Sequence, residues 1–325
     1  MRMDSMSSSI DYSRQPSSKP AQPPRVSAAL IRPLDELLDS SFIIVDKPRG
    51  PSSHEVTAWV KKLAGSNKSG HSGTLDPNVS GVLPVALGRA TKLLLYLTSK
   101  DKKYVCLMRT GKEMTEREMK GVFVRFVGEI IQTPPKMSAV AKRPRRRKVY
   151  YIKLLQIRSS DVLFEVHCEA GTYIRVLVSD FARFTGGAEM LELRRTSVGS
   201  IEEKSSHTLQ AISDAMWLAK ELHEEERIRS MLIPADEALA LSNIVLRDSA
   251  VEAVCAGAHL FAPGVEKHDV AITRGSLVAM VTIKGELVGV ARAEMSSGEI
   301  KERKKGAVAV PVRIMMKRGT YKKQW

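Results

Sequence analysis

The stretch Gly70-His71-Ser72-Gly73-Thr74-Leu75-Asp76-Pro77 decides how this chain is read. Its two glycines and small side chains let the backbone turn tightly and approach a ligand closely. Asp76 precedes a proline, which biases it toward an extended conformation. A carboxylate on such a loop can act as a base or a nucleophile. From the residues alone, an Asp-Pro in a turn is more often a structural feature. Two look-alike motifs nearby fail. Gly65 to Ser72 nearly matches the phosphate loop GxxxxGK[ST], but His71 stands where the lysine must reach the phosphates. His54-Glu55-Val56-Thr57-Ala58 begins like a zinc-protease HExxH and ends in alanine.

Outward from the loop the pattern is globular. Phe42-Ile43-Ile44-Val45 predicts a strand, and Pro48-Arg49-Gly50-Pro51 a turn. Ser52 and Glu55 form a capping box that opens a helix with Val56, Val60 and Leu63 on one stripe. A loop is expected over 65–73, a strand over 82–87, a helix over 90–97 and a strand over 104–108. Thr115 and Glu118 form a second capping box, before Met119, Val122, Phe123 and Phe126. Segments 149–157 and 161–168 alternate around the polar turn Ser159-Ser160, which predicts an antiparallel hairpin. Helices are expected over 172–184 and 208–223. From Leu232 the segments become short, β-branched and punctuated by glycine, the spacing of a small β-barrel of about 80 residues.

Length and composition bound the reading. The 325 residues suggest about two domains. No apolar run approaches the ~18 residues of a membrane span. Cys106, Cys168 and Cys255 are far apart and form no CxxC pair, which disfavours a structural zinc site or a disulfide scaffold and fits a reducing, intracellular setting. Lys and Arg number 51 against 36 Asp and Glu, a net charge of +15 that favours a polyanionic partner such as nucleic acid. Aromatics are 5%, too few for a surface built mainly on stacking. Residues 1–33 are rich in Ser and Pro and are expected to be a disordered tail; the prolines, Asp4 and Asp11 oppose an amphipathic transit peptide.

Taken together, several motifs resemble one family. The loop itself, with Gly81-Val82-Leu83-Pro84 and Gly88-Arg89-Ala90-Thr91-Lys92, resembles the signature of the TruB/dyskerin RNA pseudouridine synthases. Asp46-Lys47-Pro48-Arg49-Gly50-Pro51-Ser52-Ser53 is similar to that family's opening motif, and Lys102-Lys103-Tyr104 to its KxY motif. Gly171-Thr172-Tyr173-Ile174-Arg175 and Leu193-Arg194-Arg195-Thr196 resemble its two later motifs. The segments 254–265 and 274–278 are similar to a PUA domain, an RNA-binding β-barrel. Segments 134–140 and 147–151 resemble the archaeal dyskerin branch, the catalytic subunits of H/ACA guide-RNA particles. The turn 185–190 is a looser version of the family's.

The resemblance implies an α+β fold: a synthase domain with a mixed, largely antiparallel sheet over 34–230, a PUA domain over 231–316 and a basic tail over 317–325. It implies isomerisation of uridine to pseudouridine in rRNA or tRNA, with no cofactor and no metal. The bond from ribose to N1 breaks, the base turns, and a bond to C5 forms. The carboxylate can attack the ribose, attack the ring, or remove a proton so that a glycal forms. The role falls to Asp76. Arg175 would pair with it, its rigid fork better suited than lysine. Tyr104 would stack on the target base, His71 would help hold the flipped nucleotide, and Leu193 would wall the pocket. Extruding a base costs a few kcal/mol, which stacking partly recovers.

The run Lys142-Arg143-Pro144-Arg145-Arg146-Arg147-Lys148 places six cations in seven residues. A solvated loop is the ordinary reading of such a run. Within the family it resembles the mobile thumb loop that grips substrate RNA, with affinity that falls as salt rises. The partners implied are an H/ACA guide RNA, substrate RNA and three small proteins: a kink-turn binder, a protein bound to the catalytic domain and a β-barrel protein controlling turnover. Rival expectations are a stand-alone enzyme acting on the TΨC arm of tRNA and a non-catalytic RNA scaffold. No membrane contact is expected; the location would be cytoplasmic in an archaeon and nucleolar in a eukaryote.

Overall fold

A computed structural model describes residues 32–135 and 141–322. The expected N-terminal tail lies almost wholly outside the described residues, as does most of the segment 134–140. The first sheet comprises β1 (Ser41–Lys47), β2 (Ser69–His71), β3 (Val79–Leu87), β4 (Lys102–Thr110), β5 (Gly128–Gln132), β6 (Arg145–Arg158), β7 (Asp161–Cys168), β8 (Ala188–Val198), β9 (Ile201–Glu202) and β10 (Leu232–Pro234). Its order is β10-β1-β3-β8-β4-β7-β6-β5, with β2 on β3 and β9 on β8. Only β3 and β8 run parallel, so the sheet is mixed and largely antiparallel, as the resemblance implies. Helices α1 (Leu34–Leu38), α2 (Ser53–Ala64), α3 (Leu94–Thr98), α4 (Glu116–Val124), α5 (Ile174–Thr185), α6 (Leu209–Glu221) and α7 (Glu226–Met231) accompany it.

Local sequence rules account for most of these elements. Both capping boxes form: Ser52 with Glu55 at α2, and Thr115 with Glu118 at α4. Each satisfies two orphan N–H groups at a helix start. Alternation in β7 puts Val162, Phe164, Val166 and Cys168 inward. They pack with Met119, Phe123, Leu177 and Phe181 from α4 and α5 into one core. A second core joins Val56 and Val60 of α2 to Leu83 and Val85 of β3 and to Ile212 and Met216 of α6.

The second sheet has β11 (Ser242–Leu246), β12 (Leu260–Phe261), β13 (Val265–His268), β14 (Leu277–Thr282), β15 (Leu287–Ala293) and β16 (Ala307–Ile314), in the order β12-β16-β15-β14-β11-β13. Register shifts in β11, β12, β14 and β15 bend it into a barrel-like form. Helices α8 (Ala235–Ala238), α9 (Asp248–Cys255) and α10 (Ser297–Glu302) complete the chain. A core of Phe42, Ile44, Ala86, Leu93, Val290 and Met315 draws on both sheets and joins the two halves.

Four expectations are corrected. Leu232–Pro234, assigned to the second domain, pairs with Ile43–Ser41 of β1. The segment 90–97 is a 3-10 helix over Gly88–Leu93 followed by α3. The loop 65–73 contains β2, whose partner Val85–Leu87 lies too far along the chain to be seen locally. The basic run is not all loop: Arg145 to Lys148 lie in β6, opposite Gln132, Ile131, Ile130 and Glu129. No cross-strand partner there is cationic, and Glu129 opposes Lys148, so the strand carries four cations without facing repulsion across the ladder.

Candidate active site

The loop from Ser72 to Asn78 joins β2 to β3 and is fastened on several sides. Ser53, buried at the start of α2, donates its hydroxyl to Leu75 O and accepts Leu75 N–H, both at 2.8 Å. Gly50 N–H donates to Pro77 O at 2.9 Å and Ser72 N–H to Pro84 O at 2.9 Å. Leu75 is buried in the α4–α5 core. Those bonds leave Asp76 projecting outward, with its side chain 52% exposed.

Arg175 meets it there. The guanidinium, in the first turn of α5, donates through Nη2 to Asp76 Oδ2 and is itself 43% exposed. The arrangement comes from two separate pieces of chain, a loop and a helix N-terminus 99 residues apart.

Beneath the loop lie two buried cations. Lys47 is fully buried, and its Nζ donates to the carbonyls of Pro48 (2.8 Å), Pro77 (3.2 Å) and Val79 (2.8 Å). Burial lowers its pKa, while the charge of Asp76 works the other way. Arg195 on β8 is 1% exposed, donating to Val82 O at 2.8 Å and Ser72 O at 3.5 Å. Burial lowers its pKa, against a charge interaction and hydrogen bond with Tyr104. Two glycines make room for it. A Cβ on Gly81 would lie 2.2 Å from Arg195 O, and one on Gly73 3.1 Å from Arg195 Nη1. Gly73 and Gly81 also take φ values of +68° and +104°, in the region glycine favours.

Tyr104 stands opposite Arg195 on β4, and Cys106 opposite Leu193. Side chains two apart on a strand share a face. Tyr104 and Leu193 therefore share one wall, packed into the core that holds Leu75. Burial raises the Tyr104 pKa. His71 sits on β2 between two hydroxyls, Nδ1 to Thr57 and Nε2 to Thr74, both at 3.1 Å, with the His54 ring edge-on at 4.8 Å. Desolvation, then the charges of His54 and Arg195, push its pKa down to about 4. So the structure pairs Asp76 with Arg175 and sets Tyr104 and Leu193 on one face of the sheet, in the core that also holds Leu75. His71 buttresses the loop from the α2 side.

Lys142 and Arg143 lie exposed before β6. Arg146 pairs with Glu129 at 3.1 Å on the surface. Arg147 lies over Gly171, and its Nε has no hydrogen-bond partner among the described residues. No group of three or more His, Cys, Asp and Glu among the described residues could hold a metal ion. The sequence motifs include Lys47, Ser53 and Arg195 without assigning them a role, and Gln132 lies outside every motif. The available signal was charge inside the motifs: Arg194 on β8 reaches past β3 to grip Asp46 on β1 at 2.9 and 3.1 Å.

Comparison with known proteins gives the arrangement its context. Residues 61–174 match the TruB family pseudouridylate synthase N-terminal domain. Residues 175–240 match the tRNA pseudouridylate synthase B C-terminal domain, 22–57 the DKCLD domain and 242–315 the PUA domain. A probable tRNA pseudouridine synthase B from Pyrobaculum arsenaticum is 46% identical over 90% of this chain and 89% of its own length. One from Methanosarcina barkeri is 47% identical over 90% and 88%.

The chain belongs to the TruB family of pseudouridine synthases. Solved TruB-family structures share its fold. The archaeal box H/ACA Nop10–Cbf5 complex matches with a TM-score of 0.79 at 44% identity, covering 90% of this chain and 92% of that one. An H/ACA particle bound to substrate RNA containing 2′-deoxyuridine matches with 0.82 at 43%, covering 92% of each. As a TruB-family member this chain is an RNA pseudouridine synthase with a mixed α/β catalytic domain and a PUA domain.

Proposed function

We propose that this pseudouridine synthase is the catalytic subunit of a guide-RNA-directed H/ACA particle, acting on uridines of rRNA or tRNA, with Asp76 as the reacting carboxylate. The observation that carries the site is the Asp76–Arg175 pair, on a loop whose neighbouring Leu75 packs in the same core as Tyr104 and Leu193. On this reading a flipped uracil docks beside the half-exposed Asp76 carboxylate, and Arg175 orients that carboxylate. In the net reaction the C1′–N1 bond breaks and the C1′–C5 bond forms. C5 loses its proton and N1 gains one, so no electron acceptor is required. Tyr104, opposite Arg195 on the neighbouring strand, offers its ring to the base. Leu193 supplies apolar wall.

Guide dependence rests on likeness: the solved relatives include a Cbf5–Nop10–Gar1 complex that covers 91% of this chain at 44% identity. On this reading the chain takes two small proteins like those in that complex, together with a kink-turn binder and a guide RNA. Arg145 and Arg147 of β6, with Lys142, Arg143, Arg146 and Lys148 around them, would grip RNA phosphates; the concentration of six cations in this stretch supports that role. A PUA match over 242–315 supports a second RNA contact. No described helix is long and apolar enough to cross a membrane. The relatives named above are archaeal, and a particle of an archaeal cell works in the cytoplasm.

Reconstitution tests the reading. The chain with guide RNA and the small proteins should convert the guided uridine, and conversion should move when the guide sequence is changed. Efficient modification of the TΨC arm by the chain alone, with no response to a guide, would favour the stand-alone enzyme instead.

A further inference from the structure

Arg175 reaches Asp76 from the first turn of a helix that does not cap itself. Tyr173, the N-cap of α5, makes no side-chain capping bond. Its backbone is held from outside. Gln132, 3% exposed and the last residue of β5, donates Nε2 to Tyr173 O at 3.1 Å and accepts Tyr173 N–H on Oε1 at 3.0 Å. One amide side chain thus supplies both bonds that a neighbouring strand would give.

We propose that Gln132 is a positioning residue for the isomerisation: it fixes the start of α5 so that Arg175 meets Asp76. The inference rests on the reading of Asp76 as the reacting carboxylate. Two further contacts tie the same stretch of chain to the β5–β6 hairpin. Glu169 N–H donates to Lys148 O at 2.8 Å, and Lys148 N–H donates to Glu169 Oε2 at 3.1 Å. The Arg147 guanidinium lies against Gly171, 3.1 Å from where a Cβ would be. Gln132 itself pairs with Arg145 across the hairpin. The cations proposed to grip RNA and the guanidinium that orients the carboxylate are therefore joined through one buried amide.

The chemistry of the clamp sets the expected size. Replacing Gln132 with Met keeps the volume and removes both bonds, leaving Tyr173 N–H without that partner and its carbonyl with the Leu177 N–H alone. Displacing a reacting group by about 1 Å costs on the order of 10²-fold in rate, so a partial shift of Arg175 should cost roughly tenfold.

The test uses the full chain on the RNA that the wild type modifies, under single-turnover conditions followed over hours. Gln132→Met should slow product formation roughly tenfold while RNA affinity stays within about twofold. In an Arg175→Lys background the same change should add less than about twofold, because a residue acting through Arg175 has little left to act on. Gln132→Glu keeps the acceptor for Tyr173 N–H and should fall between, and it carries the same cycle if the Met variant does not fold. An unchanged rate, a loss confined to RNA affinity, or the full tenfold loss persisting in the Arg175→Lys background would overturn the proposal. Product formation by Asp76→Asn would instead overturn the underlying assignment.

Discussion

Lys47 shows how much of the site is built from below. Its three acceptors are carbonyls, two of them on the segment just after Asp76. Lys47→Met removes a costly buried charge but takes the ammonium donor from three carbonyls, of which Pro77 O keeps the Gly50 N–H, and the loss of the donor outweighs the relief of the charge. We expect a loss of about 2 kcal/mol in urea denaturation, with slower catalysis. Stability equal to wild type would show that the carbonyls find water instead. His71 gives a pH signature. Its folded pKa is depressed to about 4 from a usual 6.5. Between those values only the unfolded chain takes up the proton, so this contribution is complete above pH 6.5 and is lost as pH falls toward 4. Melting temperatures of His71→Asn should therefore fall less steeply than wild type over that range, and superimposable curves would contradict the burial account. The Asp76 loop and its partners were legible because motifs mark short stretches of chain. Lys47, Arg195 and Gln132 were not, because their partners are backbone atoms or residues tens of positions away.

At the scale of elements, the helices were read well where a capping box announced them. Ser52–Glu55 and Thr115–Glu118 are local signals, and α2 and α4 begin where those signals stand. Strand pairing is a long-range property, so β2 escaped notice and the basic run was read as loop. The burial alternation through Arg145, Arg146, Arg147, Lys148 and Val149 shows why this matters. Arg145 and Arg147 share the face of buried Val149, whereas Arg146 and Lys148 point away. Replacing both Arg145 and Arg147 with Ala should weaken RNA binding alike across sequences and reduce the salt slope by about 2, read from binding isotherms at several salt concentrations. An unchanged slope would remove these two residues from the RNA contact.

The whole molecule behaves as two sheets with a shared core rather than two beads. Leu93 is fully buried beneath both, in the cluster with Phe42, Val290 and Met315. Polar contacts reinforce the join: Arg32 donates to Gly285 O at 2.8 Å and Lys92 to Ile314 O at 3.2 Å. Leu93→Ala should cost about 2–5 kcal/mol. It should lower a single thermal transition monitored by calorimetry. Two resolved transitions, only one of them shifted, would mean the halves unfold independently. The second domain's barrel character was visible in its short glycine-punctuated segments. Its junction was not, because β10 joins the first sheet through a register that no local pattern encodes.

The central claim is that a single carboxylate, gripped by Arg175, carries out the isomerisation. Single-turnover pseudouridine formation by Asp76→Asn, measured beside its affinity for the same RNA, tests this directly. The account expects no product over hours with affinity within about twofold of wild type, since the substitution keeps shape and removes the acid. Product at the wild-type rate from that variant would contradict it.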